Sequence, residues 1–276
     1  VGTGTLALSP APAQAETGGR AGVTQDLCAT AVSRKERRHG IPKRLLTAIS
    51  HIESGRWDAD NGKGIALADP ALLKSFSYVG GRWIAAADGA AIWVTDPADG
   101  APLAPVARLG GAESAAAVDR AHAAFATWSA VLPQERARLL RRWHDLILAA
   151  REDLARIMTA EQGKPLSEAR GEIDYAASFV EFYAEEAKRP NIEGVTSHLP
   201  DAEVELWLEP VGVVALITPW NFPSAMLTRK AAAAIAAGCS VVAHPSHETP
   251  FSALALAELA ERAGVPAGVL GAIIIT

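Results

Sequence analysis

Apolar residues recur at helical spacing through the middle of the chain. Between residues 113 and 188 this period predicts four successive helices, at about 113–130, 134–149, 154–158 and 166–188. The second of them places five apolar side chains on one face: Leu139, Leu140, Trp143, Leu146 and Ile147. We expect these apolar stripes to be buried in the core.

Other segments carry the patterns of strands. Residues 78–84 and 91–97 predict two short strands around a turn, and residues 202–209 alternate with period two, as a half-exposed strand does. From residue 211 to 250 an apolar strand, a turn, an Ala-rich helix and a second apolar strand follow one another. This order predicts a nucleotide-binding crossover with parallel strands, and therefore an α/β fold.

Composition agrees with a soluble globular protein. The 276 residues are 49% hydrophobic and 21% charged, enough for one large domain or two smaller ones. With 26 basic and 31 acidic side chains, the net charge of −5 gives no reason to expect nucleic acid as a partner. The longest uncharged run after the N-terminus, residues 231–243, is shorter than the roughly 20 apolar residues of a membrane span. We therefore expect no nucleic acid and no membrane partner, and we assign no metal site.

The chain divides into three parts at changes of sequence character. Residues 1–23 include an Ala-x-Ala pattern without a basic region, which indicates either a signal-peptide-like remnant or a flexible tail. Residues 24–64 predict one helix that ends at Gly40 and a second, apolar helix that ends near Glu53. A turn-rich junction near residue 65 separates them from residues 65–276, the larger part.

The helical part carries a short motif of its own. Gly40-Ile-Pro, the apolar helix and Glu53-Ser-Gly resemble the opening of the soluble lytic transglycosylases over about 40 residues. The resemblance implies that Glu53 would be a general acid that protonates a glycosidic oxygen. The substrate-groove motifs of that family do not follow, and a lone Glu near a helix end is ordinarily a solvated side chain. A peptidoglycan transglycosylase fragment and a non-catalytic fusion product therefore stand as alternatives.

The larger part carries several dense motifs. The motifs are Met158-Thr-Ala-Glu-Gln-Gly-Lys-Pro, Thr218-Pro-Trp-Asn-Phe-Pro, Met226-Leu-Thr-Arg-Lys and Phe251-Ser-Ala-Leu-Ala-Leu-Ala-Glu. With them, residues 66–276 resemble the N-terminal half of the NAD(P)-dependent aldehyde dehydrogenases, the succinate-semialdehyde dehydrogenase branch in particular. The resemblance implies an incomplete doubly wound, Rossmann-like domain and oxidation of succinate semialdehyde to succinate with NAD or NADP.

The same resemblance assigns a cofactor site to the ends of the two parallel strands. It implies seven cofactor-binding residues: Thr218, Pro219, Trp220, Asn221, His244, Ser246 and His247. A helix N-terminus beside such strand ends offers free N–H groups, which favour phosphate. Asn221 would also donate a hydrogen bond to the oxyanion of the reacting aldehyde. His244 replaces the usual Lys and His247 the usual Glu, so we expect weak binding of NAD or NADP.

The substrate and the remaining catalytic groups also follow from the resemblance. Arg229 matches an Arg that contacts the distal carboxylate of the substrate, which implies a small aldehyde with such a group. The family's nucleophilic Cys and general-base Glu match positions beyond Thr276, so the resemblance implies that the chain is inactive alone. Cys239, between a helix and a strand, is interpreted as a packing residue.

Two wider expectations come from the family as a whole. Its members are homo-oligomers whose contacts include the hairpin matching residues 202–209, and this chain supplies those contacts only in part. The resemblance implies a cytoplasmic protein, while the signal-like residues at the N-terminus leave a periplasmic or secreted one open.

Overall fold

The structure is a computed structural model that describes residues 64–189 and 192–275. After a 3-10 turn at Pro70–Leu72, its strands and helices follow in this order: β1 Ser77–Val79, β2 Arg82–Ile84, β3 Ala91–Thr95, β4 Pro102–Ala107, α1 Gly111–Trp128, α2 Pro133–Ala149, α3 Arg151–Gln162, α4 Leu166–Glu186, β5 Ile192–Val195, β6 Val204–Trp207, β7 Val213–Thr218, α5 Pro223–Ala237, β8 Ser240–Pro245, α6 Pro250–Ala263 and β9 Leu270–Ala272.

A five-stranded mixed sheet in the order β2-β1-β9-β8-β7 forms the centre of the described chain. Strands β7, β8 and β9 are parallel, and β1 joins β9 as an antiparallel neighbour. Strands β7 and β8 pair in an unbroken register over their whole length, from Val213 with Ser240 to Thr218 with Pro245. The fold is therefore α/β, and the predicted parallel crossover is confirmed.

Helices α2, α3 and α4 pack together as a helical layer, whereas α1 packs on strands β7, β8 and β9 of the sheet. Buried tryptophans of α1 and α2 contact the crossover helices α5 and α6. The four predicted helices are present as α1 to α4, with ends within about two residues of the prediction except in α3, which is longer. Trp128 and Trp143 are 1% and 0% exposed. Their indole N–H groups donate to the carbonyls of Ile235 in α5 and Leu256 in α6, at 3.3 and 3.1 Å. The apolar stripes thus form the core, as predicted.

The strand prediction for residues 78–97 is wrong in its pairing. Residues 77–84 form a hairpin by themselves, because Gly80 and Gly81 both adopt positive φ angles, of 58° and 78°, and reverse the chain within two residues. A Cβ on Gly81 would lie 2.5 Å from that of Ala267, so this turn requires glycine. Strand β3 pairs instead with β4, which was not predicted because Pro102 and Pro105 obscure its pattern.

The hairpin of β5 and β6 lies apart from the central sheet. All four residues of β6 are exposed, so the expectation of a half-exposed strand is wrong within the described residues. The period-two alternation is present, but no second layer of the described chain covers the apolar face of Val204 and Leu206. The oligomer contacts expected here stay a prediction.

Two further expectations concern the chain as a whole. Within residues 64–189 and 192–275, none of the helices is long and apolar enough to cross a membrane. The boundary near residue 65 falls where the described residues begin, so it stays a prediction.

Candidate functional site

Most of the predicted site residues lie at the carboxyl ends of β7 and β8. Ile217 pairs with His244 and Thr218 with Pro245, so the turn that follows β7 lies beside the segment that follows β8. The first segment supplies Pro219, Trp220 and Asn221, and the second supplies Ser246 and His247. The carboxyl ends of parallel strands are where α/β proteins place their ligands.

The turn after β7 is open to solvent. Pro219 and Asn221 are exposed, and Trp220 is 54% exposed. Thr218 differs, because it is only 4% exposed and its hydroxyl is buried without a hydrogen-bond partner among the described residues. A ligand at this site can therefore contact the three exposed residues, whereas Thr218 offers it little surface.

The segment after β8 carries the two histidines that replace the usual Lys and Glu. His244 is half-buried, and its Nδ1 lies 3.4 Å from the carbonyl oxygen of Ile273, next to β9. The Ser246 hydroxyl accepts a hydrogen bond from the Glu248 N–H at 3.3 Å. The His247 side chain is 50% exposed and lies 3.3 Å from Glu248 Oε1. The segment therefore combines hydroxyl and imidazole groups, which bond to other hydroxyls.

The N-terminus of α5 is occupied by a buried carboxylate. Glu172 of α4 accepts hydrogen bonds from the Ser224 and Ala225 N–H groups at 3.1 and 3.3 Å. The helix needs this outside acceptor because its N-cap residue, Phe222, has no polar side chain. The expectation of free N–H groups for phosphate at this helix is therefore wrong.

The N-terminus of α6 is occupied in the same way. Glu161 of α3 accepts from the Phe251 and Ser252 N–H groups, both at 2.7 Å. Thr249 stands at the N-cap, but its hydroxyl makes no cap hydrogen bond. Burial raises the pKa of Glu161 to about 8, although the hydrogen bonds that it accepts from the two N–H groups lower the pKa. A glutamate from the helical layer thus caps the N-terminus of each crossover helix.

Lys164 connects the first of these glutamates to the turn after β7. It forms an ion pair with Glu172 and donates a hydrogen bond to the Asn221 carbonyl at 3.2 Å. Its ammonium also lies 4.0 Å from the centroid of the Phe222 ring. Lys164 had no predicted role, although it belongs to the quoted Glu-Gln-Gly-Lys motif. The local sign from which an outside partner could have been expected is that α5 has proline in its first turn and an apolar residue, Phe222, at its N-cap.

Arg229 lies on the exposed surface of α5. Its guanidinium is 5.9 Å from the Phe179 ring centroid, and Nη2 lies 3.1 Å from the Met226 sulfur. Within the described residues, no carboxylate forms an ion pair with it. An exposed guanidinium without an ion pair to these carboxylates can bind the carboxylate of a ligand through two hydrogen bonds.

Two further predicted residues, Glu53 and Cys239, lie away from this site or outside the described residues. Glu53 belongs to residues that lie outside the described ones. Cys239 is a free cysteine that is 4% exposed, as its interpretation as a packing residue expects.

Comparison with known proteins gives the family. The profile described as "Aldehyde dehydrogenase family" matches residues 83–275. The chain is 53% identical over 208 residues to an aspartate-semialdehyde dehydrogenase (non-phosphorylating) of Halomonas elongata, with 75% of this chain and 42% of that protein covered. It is 51% identical over 207 residues to the NADP(+) succinate-semialdehyde dehydrogenase of Escherichia coli, with 75% and 43% covered.

A solved structure agrees with these relatives. The aldehyde dehydrogenase of Brucella melitensis biovar abortus superposes with a TM-score of 0.75 at 53% identity, over 76% of this chain and 44% of that one. The chain belongs to the aldehyde dehydrogenase family. It spans less than half the length of the relatives that it matches.

Proposed function

We propose that the chain provides the cofactor site of an NAD(P)-dependent aldehyde dehydrogenase acting on a small aldehyde with a distal carboxylate, such as succinate semialdehyde. The observation that carries the proposal is the juxtaposition of two segments at the ends of β7 and β8: the exposed turn with Trp220 and Asn221, and the segment from His244 to His247. The family of the chain supports an oxidoreductase acting on an aldehyde.

The residues at this site suit one part of a dinucleotide better than another. His244, Ser246 and His247 offer imidazole and hydroxyl groups, which fit the hydroxyls of a ribose. The N-termini of α5 and α6 do not bind the phosphates, because their first-turn N–H groups already donate to Glu172 and Glu161. The site therefore fits a dinucleotide that lies across the strand ends, with weak affinity.

The chemistry assigned to this chain is binding and charge stabilisation. When bound, the nicotinamide of NAD(P) supplies the acceptor for the hydride that leaves the aldehyde carbon. The side-chain amide of Asn221 donates a hydrogen bond to the aldehyde oxygen, which becomes negative when a thiolate adds to the carbon. Preorganised donors of this kind favour the charged transition state over the neutral aldehyde.

Arg229 would select the substrate through its carboxylate. The side chain is exposed, packs beside Phe179 and Met226, and pairs with none of the described carboxylates. A guanidinium binds a carboxylate through two parallel hydrogen bonds, which fixes the orientation of the substrate as well as its affinity. Two relatives of the chain carry names of semialdehydes that possess a carboxylate, aspartate semialdehyde and succinate semialdehyde, which supports this role.

The substrate proposal predicts a selective response of Arg229. We expect succinamate, which carries the distal carboxylate, to shift the side-chain Nε–H resonance of Arg229, because a new charge-assisted hydrogen bond forms there. The measurement is a nuclear magnetic resonance titration of the ¹⁵N-arginine-labelled chain, in which the Arg229→Lys variant assigns the resonance. Butyramide, which has the same amide and no carboxylate, serves as the control. Equal shifts with both compounds, or none with either, would show that Arg229 does not recognise a carboxylate.

A further inference from the structure

We propose that the Lys164–Glu172 ion pair is a positioning device that fixes the turn of residues 219–222, and with it the position of the Asn221 backbone. The proposal rests on the proposed function in one respect, since it treats this turn as the part of the chain that contacts the cofactor and the aldehyde. Neither residue is proposed to touch the substrate. Both act through the backbone of the turn.

The Glu172 end of the device fixes the start of α5. The Glu172 side chain is 1% exposed, and one of its oxygens accepts from the N–H groups of Ser224 and Ala225. Its other oxygen pairs with Lys164. A carboxylate removed from water to this degree has a strong preference for one geometry, because each displaced bond leaves a buried group unsatisfied. The first turn of α5 is therefore tied to α4.

The Lys164 end extends the same restraint to the turn itself. Lys164 follows Gly163, whose φ of 81° ends α3 before α4 begins at Leu166. Its side chain is 9% exposed, and its ammonium reaches the Asn221 carbonyl as well as the face of the Phe222 ring. One cation thus contacts Glu172 and two successive residues of the turn.

The restraint matters because the functional end of Asn221 is free to rotate. Among the described residues, no hydrogen bond restrains the Asn221 side-chain amide, and the residue is exposed. The place where the amide can donate a hydrogen bond is therefore set by the Asn221 backbone, whose carbonyl is bonded to Lys164. Buried ion pairs contribute little net stability compared with apolar substitutes, so a specific geometry is the more direct reason for this one.

A fluorine signal on Trp220 tests the device. The full chain is labelled with 5-fluorotryptophan, and the Trp220→Phe variant assigns the Trp220 resonance among the seven tryptophans. In the double variant Lys164→Met/Glu172→Gln, which removes both buried charges together, we expect the resonance to shift and to broaden or divide. If the competent turn is then populated to about a tenth, the affinity for NADP⁺ measured by calorimetry falls about tenfold.

Two control variants separate positioning from general stability. Lys164→Arg keeps the positive charge and is expected to restore the wild-type Trp220 signal. Ile147→Ala opens a cavity in α2, where Ile147 is 0% exposed, and is expected to lower the melting temperature without changing the Trp220 signal. If the double variant does not fold, Lys164→Met, which removes the ion pair and keeps Glu172 at the start of α5, is measured instead. The same shift of the Trp220 resonance is expected, and an unchanged resonance overturns the positioning role.

The outcomes distinguish this inference from the proposed function. If wild type binds NADP⁺ and the double variant shows the same affinity and an unchanged Trp220 signal, the positioning role is overturned and the cofactor site stands. A changed signal with undiminished affinity also overturns the role. If wild type binds no dinucleotide while the signal responds as expected, the device stands and the proposed function fails.

Discussion

The Glu161→Ala variant is expected to lose about 2 to 6 kcal/mol of unfolding free energy at pH 5, because each of two buried N–H groups left without an acceptor costs about 1 to 3 kcal/mol. The two groups are those of Phe251 and Ser252, both fully within the core at the start of α6. Thr249 at the N-cap makes no cap bond in the native chain. The loss is measured by urea unfolding followed by circular dichroism.

The control is a glutamate of the same helical layer without such bonds. Glu168 is exposed in the first turn of α4, and Glu168→Ala is expected to change the unfolding free energy by no more than about 0.5 kcal/mol. If Glu161→Ala behaves like Glu168→Ala, the two N–H groups find other acceptors and Glu161 is not the cap of α6.

The stability contributed by Glu161 is also expected to depend on pH. Folding raises the pKa of this carboxyl from 4.5 to about 8, so the folded chain keeps a proton that the unfolded chain releases. The stabilisation is complete below about pH 4.5 and is lost as the pH rises through about 8. Between pH 5 and pH 8 wild type is therefore expected to lose up to about 4 kcal/mol relative to Glu161→Gln, whose side chain does not titrate.

Because wild type and Glu161→Gln share every other titrating group, the contributions of those groups to the pH dependence cancel in the difference between the two chains. Glu152, for example, has its pKa lowered to about 2 by hydrogen bonds from Arg170 and Arg156, and it contributes equally to both chains. Unfolding free energies at pH 5, 6, 7 and 8 give the difference directly. A difference between wild type and Glu161→Gln that stays constant, or that grows with pH in favour of wild type, would mean that Glu161 is ionised in the folded chain.

The sequence predicted the elements whose signal is local. Helical periodicity identified α1 to α4, and the strand, helix and strand after residue 211 identified the parallel crossover. The pairing of the short strands could not be predicted in this way. Which strand β3 joins depends on the turn at Gly80 and Gly81 and on a proline-containing partner, β4.

The candidate site was predicted to a similar extent. A quoted motif identified the turn from Pro219 to Asn221, the family resemblance identified the segment from His244 to His247, and the two segments lie side by side. The caps of α5 and α6 were missed because they join residues 52 to 91 positions apart, a distance over which no periodicity is informative. For the same reason, free N–H groups were expected at α5 where Glu172 already binds.

The central claim, a dinucleotide site at the ends of β7 and β8, is tested most directly by titration calorimetry of wild type and His244→Lys with NADP⁺ and NAD⁺. A charge-assisted hydrogen bond is worth about 1.5 to 3 kcal/mol, so the variant is expected to bind roughly ten- to a hundredfold more tightly, with the larger gain for NADP⁺. His122→Lys adds the same charge to the exposed surface of α1 and is expected to change nothing. Absence of binding in every chain, or equal gains from the two substitutions, would contradict a site beside His244.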